Sequence, residues 1–458
     1  MTKDVIKFGT DGFRGIMGKN FTKENVKRII CALTLYLRSL KSSKNTVVVG
    51  YDPRKDAKEY AQFVAQLLKD KGFFVVLSSK VVPTPVVAYC AKNYEDSLGA
   101  IMLTASHNPC EYQGIKFIPP HGGPAEKEIT DKILEFLDMD IEDKKGGSIV
   151  EKALEDEYIS HIKEIIDFDI IKKNCPKIIY DGLYSSTIGY FDRILDEFDI
   201  DYACFNMRHD PDFGGGLPEP KPKFMHHFQN GFITFANDGD GDRYGIIDEL
   251  GHYVSPNVVL AMLLKYLVSK NQKGKMIKTV GVSKLVDIVA KKLKVDVITT
   301  PVGFKWLSYE MRKNPCILAG EDSGGLSCGN HIPEKDGIFA NLLVLEMIAS
   351  SKKPLSTLSL DIKQFAGCDF LTDRVDIELE DDAKVQEIID KFKDFSEILN
   401  YKITSKLEID GLKLFLEDEK TSLLIRKSGT EPLLRFYIET DLSSKIKLLK
   451  EFIEVNIR

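Results

Sequence analysis

Short β-branched runs alternate with stretches of helical spacing along most of this chain. That alternation restricts it to layered α/β units built on mostly parallel sheets. Thr46-Val-Val-Val-Gly50 predicts a strand, and the spacing from Arg54 to Lys71 predicts a helix with Tyr60, Phe63, Val64, Leu67 and Leu68 on one face. Phe73–Leu77 reads as a second strand, Pro85–Lys92 as a short helix, and 98–103 as a third strand. Pro124 suits the first position of a helix over 124–139. The charged, glycine-containing run 140–148 reads as a linker.

A second unit follows the same pattern: helix 153–172, strand 177–180, helix 186–198, and strands at 201–206, 232–236 and 244–248. A third runs through helix 256–269, strand 278–282, helix 284–293, strand 296–300, helix 303–312, strand 316–319 and helix 336–351. The last ninety or so residues differ. Strands near 372–379, 403–408, 412–416, 421–426 and 434–439, with helices 381–393 and 442–455, predict a separate α+β domain with an antiparallel sheet. The expected divisions are 1–145, 146–250, 251–366 and 367–458.

Composition excludes several classes. Of the 458 residues 43% are apolar, enough for packed cores, and the net charge of −6 argues against a general nucleic-acid binder. An acidic exterior is still compatible with a local cationic pocket for an anionic substrate. The first residues carry no apolar signal region, and no run is long enough to span a bilayer, so a cytoplasmic protein is expected. Eight scattered cysteines form no Cys-x-x-Cys pair and read as reduced thiols.

Five loops carry chemistry. Thr104-Ala-Ser106-His107-Asn-Pro109 follows the strand 98–103, so Ser106 is expected at that strand's carboxyl end, exposed and free to carry a group. In Asn237-Asp238-Gly-Asp240-Gly-Asp242-Arg243 three carboxylates converge from one tight loop. Crowded carboxylates repel, so the cluster calls for a cation, and oxygen-only ligation favours Mg²⁺ or Ca²⁺ over zinc. An EF-hand is excluded, because Arg243 stands where its sixth-position glycine is required and the flanks are strands. Gly320-Glu321-Asp-Ser323-Gly-Gly325 offers Glu321 and Ser323 to sugar hydroxyls. Arg426-Lys-Ser428-Gly429-Thr430-Glu-Pro432 joins a planar guanidinium to a candidate anion-binding nest, with Arg435 returning from the next strand. The same stretch also reads as an ordinary hairpin turn. Phe8-Gly-Thr-Asp-Gly-Phe-Arg14-Gly15 is glycine-dense and ends in a cation.

Lys116, Lys305 and Lys335 are further cations placed to meet a phosphate, or simply solvated; Lys116 is also a candidate proton-transfer group. His107 reads as a hydrogen bonder, since no partner has metal-ligand spacing. Asp322-Ser-Gly-Gly325 with the upstream Ala-Ser-His107 faintly suggests a serine protease, but the helix–strand–helix pattern over 303–351 contradicts a β-barrel.

The ordered set of loops, over the full length, resembles the α-D-phosphohexomutase superfamily, closest to the phosphoglucomutase type. That resemblance implies three related α/β domains and a smaller C-terminal domain around one central cleft. It implies that Ser106 carries a phosphoryl group and that Ser106, Asp238, Asp240 and Asp242 hold Mg²⁺. Arg14, His107, Lys116 and Arg243 would line the reacting end, and Arg426, Ser428, Gly429 and Thr430 would grip the distal phosphate. The expected reaction interconverts hexose 1- and 6-phosphates, glucose first and mannose second, through a hexose 1,6-bisphosphate. The expected partners are hexose phosphates, with no nucleic acid and no membrane, and the chain a monomer or homodimer. Alternatives are a phosphoglucosamine mutase, a sugar-phosphate phosphatase and a non-catalytic binder. The sugar loop departs from the phosphomannomutase/phosphoglucomutase and phosphoglucosamine mutase branches, which usually have Ser-Gly-His where this chain has Ser-Gly-Gly325. His331, in His331-Ile-Pro-Glu-Lys335-Asp-Gly337, is the expected source of the missing imidazole.

Overall fold

The computed structural model describes residues 6–8, 12–379, 382–427 and 433–457. Four sheets follow one another along the chain. The first runs in the order 13–16, 112–118, 97–103, 46–51, 74–78, 148–152. Its centre is parallel, with Val48 opposite Val76 and Ala100. Two antiparallel strands close one side, Phe13–Ile16 and Tyr112–Ile118. Every residue of Thr46–Tyr51 is buried, as expected for a strand covered on both faces. Val47 and Val49 pack into one apolar cluster and Val48 into another.

The second sheet has the order 244–247, 233–237, 178–181, 202–205, and the third 297–300, 275–279, 316–320, 326–327. The fourth is six-stranded and antiparallel throughout: 371–378, 433–440, 422–427, 412–416, 401–407, 397–398. Three α/β units and a C-terminal α+β unit are therefore present, with mixed sheets in all three of the former.

Several elements depart from the sequence expectation. The stretch 140–148 does not end the first unit, because Ser148–Lys152 adds a parallel edge strand beside Phe74–Ser78. The expected helix 153–172 is two helices, Glu155–Ile165 and Phe168–Asn174, the second opened by an Asp167 cap onto the Ile170 N–H at 3.0 Å. The helix expected from Arg54 begins at Ala57 and frees Arg54 for other contacts. Leu355–Ala366 is a further helix that the spacing did not single out.

One apolar cluster runs from Val48 to Ala366 and joins all three α/β units. The C-terminal unit has its own, from Val385 to Ile453. Polar contacts tie it to the third unit. The Glu439 carboxylate accepts the Ser283 hydroxyl and the Lys284 N–H (3.1 Å) at the start of helix Lys284–Leu293, and Lys413 Nζ donates to Val280 O at 2.9 Å.

Candidate active site

Each α/β unit presents one loop at the carboxyl end of a parallel strand, and the three loops meet. Ser97–Leu103 delivers Ser106, Ile233–Asn237 delivers the aspartates, and Cys316–Gly320 delivers Glu321. Hydrogen bonds across the units lock this convergence. Thr84 N–H donates to Asp240 O at 2.8 Å, Gly337 N–H to Gly241 O at 3.0 Å, and Tyr244 N–H to Gly324 O at 3.0 Å. Gly239 permits the closest approach: a Cβ there would lie 2.6 Å from Ser106 O.

Ser106 is buried and has φ +53°, a left-handed conformation that costs a non-glycine residue about 1–3 kcal/mol. Its N–H donates to Thr104 Oγ1 (2.8 Å), which donates to Asp52 Oδ2 (2.6 Å). Its hydroxyl donates to Asp238 Oδ2 at 2.9 Å and lies 3.3 Å from His107 Nδ1. Carboxylate oxygens of Asp238, Asp240 and Asp242 come within 4.8 Å of one another, and all three residues are buried.

Cations surround the triad. Lys116 Nζ lies 2.8 Å from Asp240 and 3.2 Å from Asp242, and Lys335 Nζ lies 3.2 Å from Asp242 and 3.3 Å from Glu334. Thr84 Oγ1 donates to Asp240 at 2.6 Å, and the Arg243 N–H closes the loop onto Asp238 Oδ1 at 3.0 Å. Burial, with Asp242 and Asp240 next to it, pushes the Asp238 carboxyl well above its ordinary range. Asp242 Oδ1 is buried with no hydrogen-bond partner among the described residues. An all-oxygen set with an orphaned carboxylate oxygen and mutual repulsion fits a hard divalent cation. The Arg243 guanidinium, followed by burial and Arg14, lowers His107 to about 2, so its ring is neutral.

The loop Gly320–Gly325 departs from the sequence expectation at its expected partner, His331. Glu321 is buried and accepts the Gly303 N–H at 3.1 Å; burial raises its carboxyl, opposed by Lys335 and Arg243. Ser323 is half-buried beside it in sequence, and Lys305 lies against the Trp306 ring at 5.6 Å. His331 has its ring nitrogens engaged elsewhere. Its Nε2 is 2.8 Å from Asp336 and its Nδ1 3.0 Å from His161, so both ring nitrogens are taken, and the side chain is fully buried. Lys335 occupies the vacant position instead: its stem lies over Gly325, where a Cβ would meet Lys335 Cδ at 2.4 Å.

Arg14 Nη1 donates to Asn108 Oδ1 at 2.6 Å, beside the Ser106 turn. Arg426 Nε donates to Asp410 Oδ2 at 2.9 Å, and the same oxygen accepts the Val302 N–H at 3.1 Å. Arg435 lies directly opposite Arg426 in the sheet, its buried Nε without a hydrogen-bond partner among the described residues. Ser428, Gly429 and Thr430 lie outside the described residues, as do Gly9, Thr10 and Asp11 of the first motif. Sequence reasoning missed Asp52, Arg54, Thr84, Asn108 and Glu334, whose roles depend on contacts between distant segments.

The chain matches four domains of one family. They are described as phosphoglucomutase/phosphomannomutase alpha/beta/alpha domain I over residues 5–143, domain II over 156–251, domain III over 255–365, and the C-terminal domain over 375–454. The chain belongs to this family, within the α-D-phosphohexomutase superfamily. It is 30% identical to a phosphoglucomutase/phosphomannomutase of Thermococcus kodakarensis, covering 98% of this chain and 97% of that one. It is 31% identical to a phosphoglucosamine mutase of Methanocaldococcus jannaschii, covering 97% and 98%. A crystal structure from Thermus thermophilus, assigned as a phosphomannomutase, superposes with a TM-score of 0.86 at 29% identity over 98% of each chain. An N-acetylphosphoglucosamine mutase of Aspergillus fumigatus, solved with GlcNAc-6P and magnesium, shares the fold at a TM-score of 0.65 and 14% identity over 98% of this chain and 95% of that one. This phosphohexomutase is an isomerase that moves a phosphoryl group within a hexose phosphate. Among its described residues no helix is long and apolar enough to cross a membrane.

Proposed function

We propose that this phosphohexomutase interconverts hexose 1-phosphate and hexose 6-phosphate, with glucose the preferred sugar and mannose a second substrate, through phosphorylated Ser106. The observation that carries the reading is the Ser106 hydroxyl, 2.9 Å from Asp238 and enclosed by three buried carboxylates and their cations. Phospho-Ser106 donates its phosphoryl group to the C6 hydroxyl of a hexose 1-phosphate, forming a 1,6-bisphosphate. The intermediate turns over, its C1 phosphoryl returns to Ser106, and the 6-phosphate leaves.

Asp238, Asp240 and Asp242 would hold Mg²⁺, which supplies charge stabilisation to a phosphoryl group in transfer. Lys116 is the group placed to move the hydroxyl proton. Arg14 and Arg243 add positive charge at the reacting end, and His107 is a hydrogen-bonding partner beside Ser106. Glu321 and Ser323 read sugar hydroxyls, with Lys305 and Lys335 beside them. Arg426 and Arg435, paired across two strands, favour the non-reacting phosphate. The separate core of the last domain suits closure over the substrate, which keeps water from the phosphoserine.

The sugar preference rests on charge. Glucosamine phosphate brings an ammonium; of the two carboxylates in the loop Gly320–Gly325, Glu321 is already opposed by Lys335 and Arg243, and Asp322 is half-buried beside it. The names of several relatives support phosphoglucosamine as the second reading. A coupled assay across glucose, mannose and glucosamine 1-phosphates, with Mg²⁺ and a trace of bisphosphate, decides between them. Highest kcat/KM on glucosamine 1-phosphate overturns the preference. Stoichiometric release of inorganic phosphate would identify a phosphatase instead. Ser106→Ala is expected to abolish turnover while sugar-phosphate binding survives.

A further inference from the structure

Arg54 lies in a loop that the reading above does not use. It follows strand Thr46–Tyr51, and its side chain is almost wholly buried. All five of its guanidinium N–H groups are spent. Nη2 donates to Ser106 O and Asn108 O, both at 2.7 Å; Nη1 donates to Pro109 O at 2.7 Å and Tyr112 O at 3.0 Å; Nε donates to Asp52 Oδ2 at 3.1 Å. The guanidinium carbon stands 5.0 Å from the centre of the Phe213 ring, in the second unit. Asp52 in turn accepts the Thr104 hydroxyl, whose oxygen accepts the Ser106 N–H.

Four backbone carbonyls of one loop thus converge on a single buried cation. A trans peptide sets its C=O and N–H on opposite sides. With the Ser106 carbonyl drawn into the guanidinium, the His107 N–H is turned away from it. The same pull holds Ser106 at its left-handed φ of +53°. A lysine could not substitute, since a point ammonium has three donors and no planar fork.

We propose that Arg54 is a positioning residue for phosphoryl transfer: by gathering the carbonyls of 106, 108, 109 and 112 it fixes the Ser106 hydroxyl on the aspartate triad and turns the His107 backbone N–H to the side open to the phosphoryl group. Arg54 itself touches neither substrate nor phosphate. The inference rests on Ser106 being the phosphoryl carrier.

The test uses the full chain with Arg54→Lys and Arg54→Gly, alongside Thr104→Val, which leaves Arg54 in place but cuts the Asp52 tie to the Ser106 N–H. Intact mass of the parent after incubation with glucose 1,6-bisphosphate first establishes whether Ser106 gains a phosphate. If it never does, the mutase reading itself fails. With that gain present, Arg54→Lys and Arg54→Gly are expected to lose about 100-fold in kcat, the scale of an ångström-sized misplacement, at unchanged KM. Added guanidinium ion should restore about tenfold in Arg54→Gly, and ammonium ion nothing. Thr104→Val should lower kcat at unchanged KM and carries the test if the Arg54 variants do not fold. Parental kcat in Arg54→Lys or in Thr104→Val overturns the inference, as does a loss in Arg54→Gly that follows the unfolded fraction and ignores guanidinium.

Discussion

At the scale of single residues, the site depends on atoms that are absent as much as on those present. Gly239 lets the aspartate loop touch the serine loop, and its virtual Cβ falls 2.6 Å from Ser106 O. Gly239→Ala should destabilise by about 1–3 kcal/mol and depress kcat more than KM, read by thermal melting and steady-state kinetics. Gly325 has a similar role under Lys335, which Asp242 and Glu334 pin in place. Gly325→His should therefore lower Tm, and adding Lys335→Ala should recover it, giving a large coupling in a double-mutant cycle. That Ser106 and the three aspartates would meet in one candidate site was legible in the sequence, because each motif is contiguous and its side chains are distinctive. Arg54 was not, since its partners are main-chain carbonyls spread over residues 106–112 and helical spacing claimed it for the next helix. His331 misled because an imidazole near a sugar loop suggests a ligand group, whereas tertiary packing placed it against His161 and Asp336.

At the scale of elements, the helix Gly337–Ser351 shows how a buried polar network can support a site from behind. Asp336 caps it through the Phe339 N–H at 2.9 Å, and its other oxygen accepts the Tyr158 hydroxyl (2.7 Å) and faces His331. His161 stacks on His331, with ring centres 5.1 Å apart. Burial first, then His331, lowers His161 to about 4. In an unfolded chain the ring titrates near about 6.5. Between those values the unfolded chain binds the proton and the folded one does not, so stability falls as pH drops from about 6.5 to about 4. His161→Phe should flatten that part of the Tm–pH curve. Asp336→Ala should cost about 1–2 kcal/mol from the cap alone, and more from the stranded Tyr158 hydroxyl. Elements with one buried stripe, such as Lys284–Leu293, were readable from periodicity. The edge strand Ser148–Lys152 was not, because it is mostly exposed and carries no alternating pattern.

At the scale of the whole molecule, three units share a core while the fourth keeps its own, held to the third through Glu439, Lys413 and Asp410. Glu439→Ala strips the carboxylate from the start of helix Lys284–Leu293 and frees the Ser283 hydroxyl. It should raise KM for hexose phosphates and expand the particle in small-angle scattering, with kcat retained. A chain whose apolar interior is divided in this way is not obliged to melt as one cooperative body. Calorimetry should resolve two endotherms, the smaller from the last ninety or so residues. A bisphosphorylated sugar spanning Ser106 and Arg426 should fuse them into a single transition, so the shape of a heat-capacity trace would report substrate bridging without any turnover being measured.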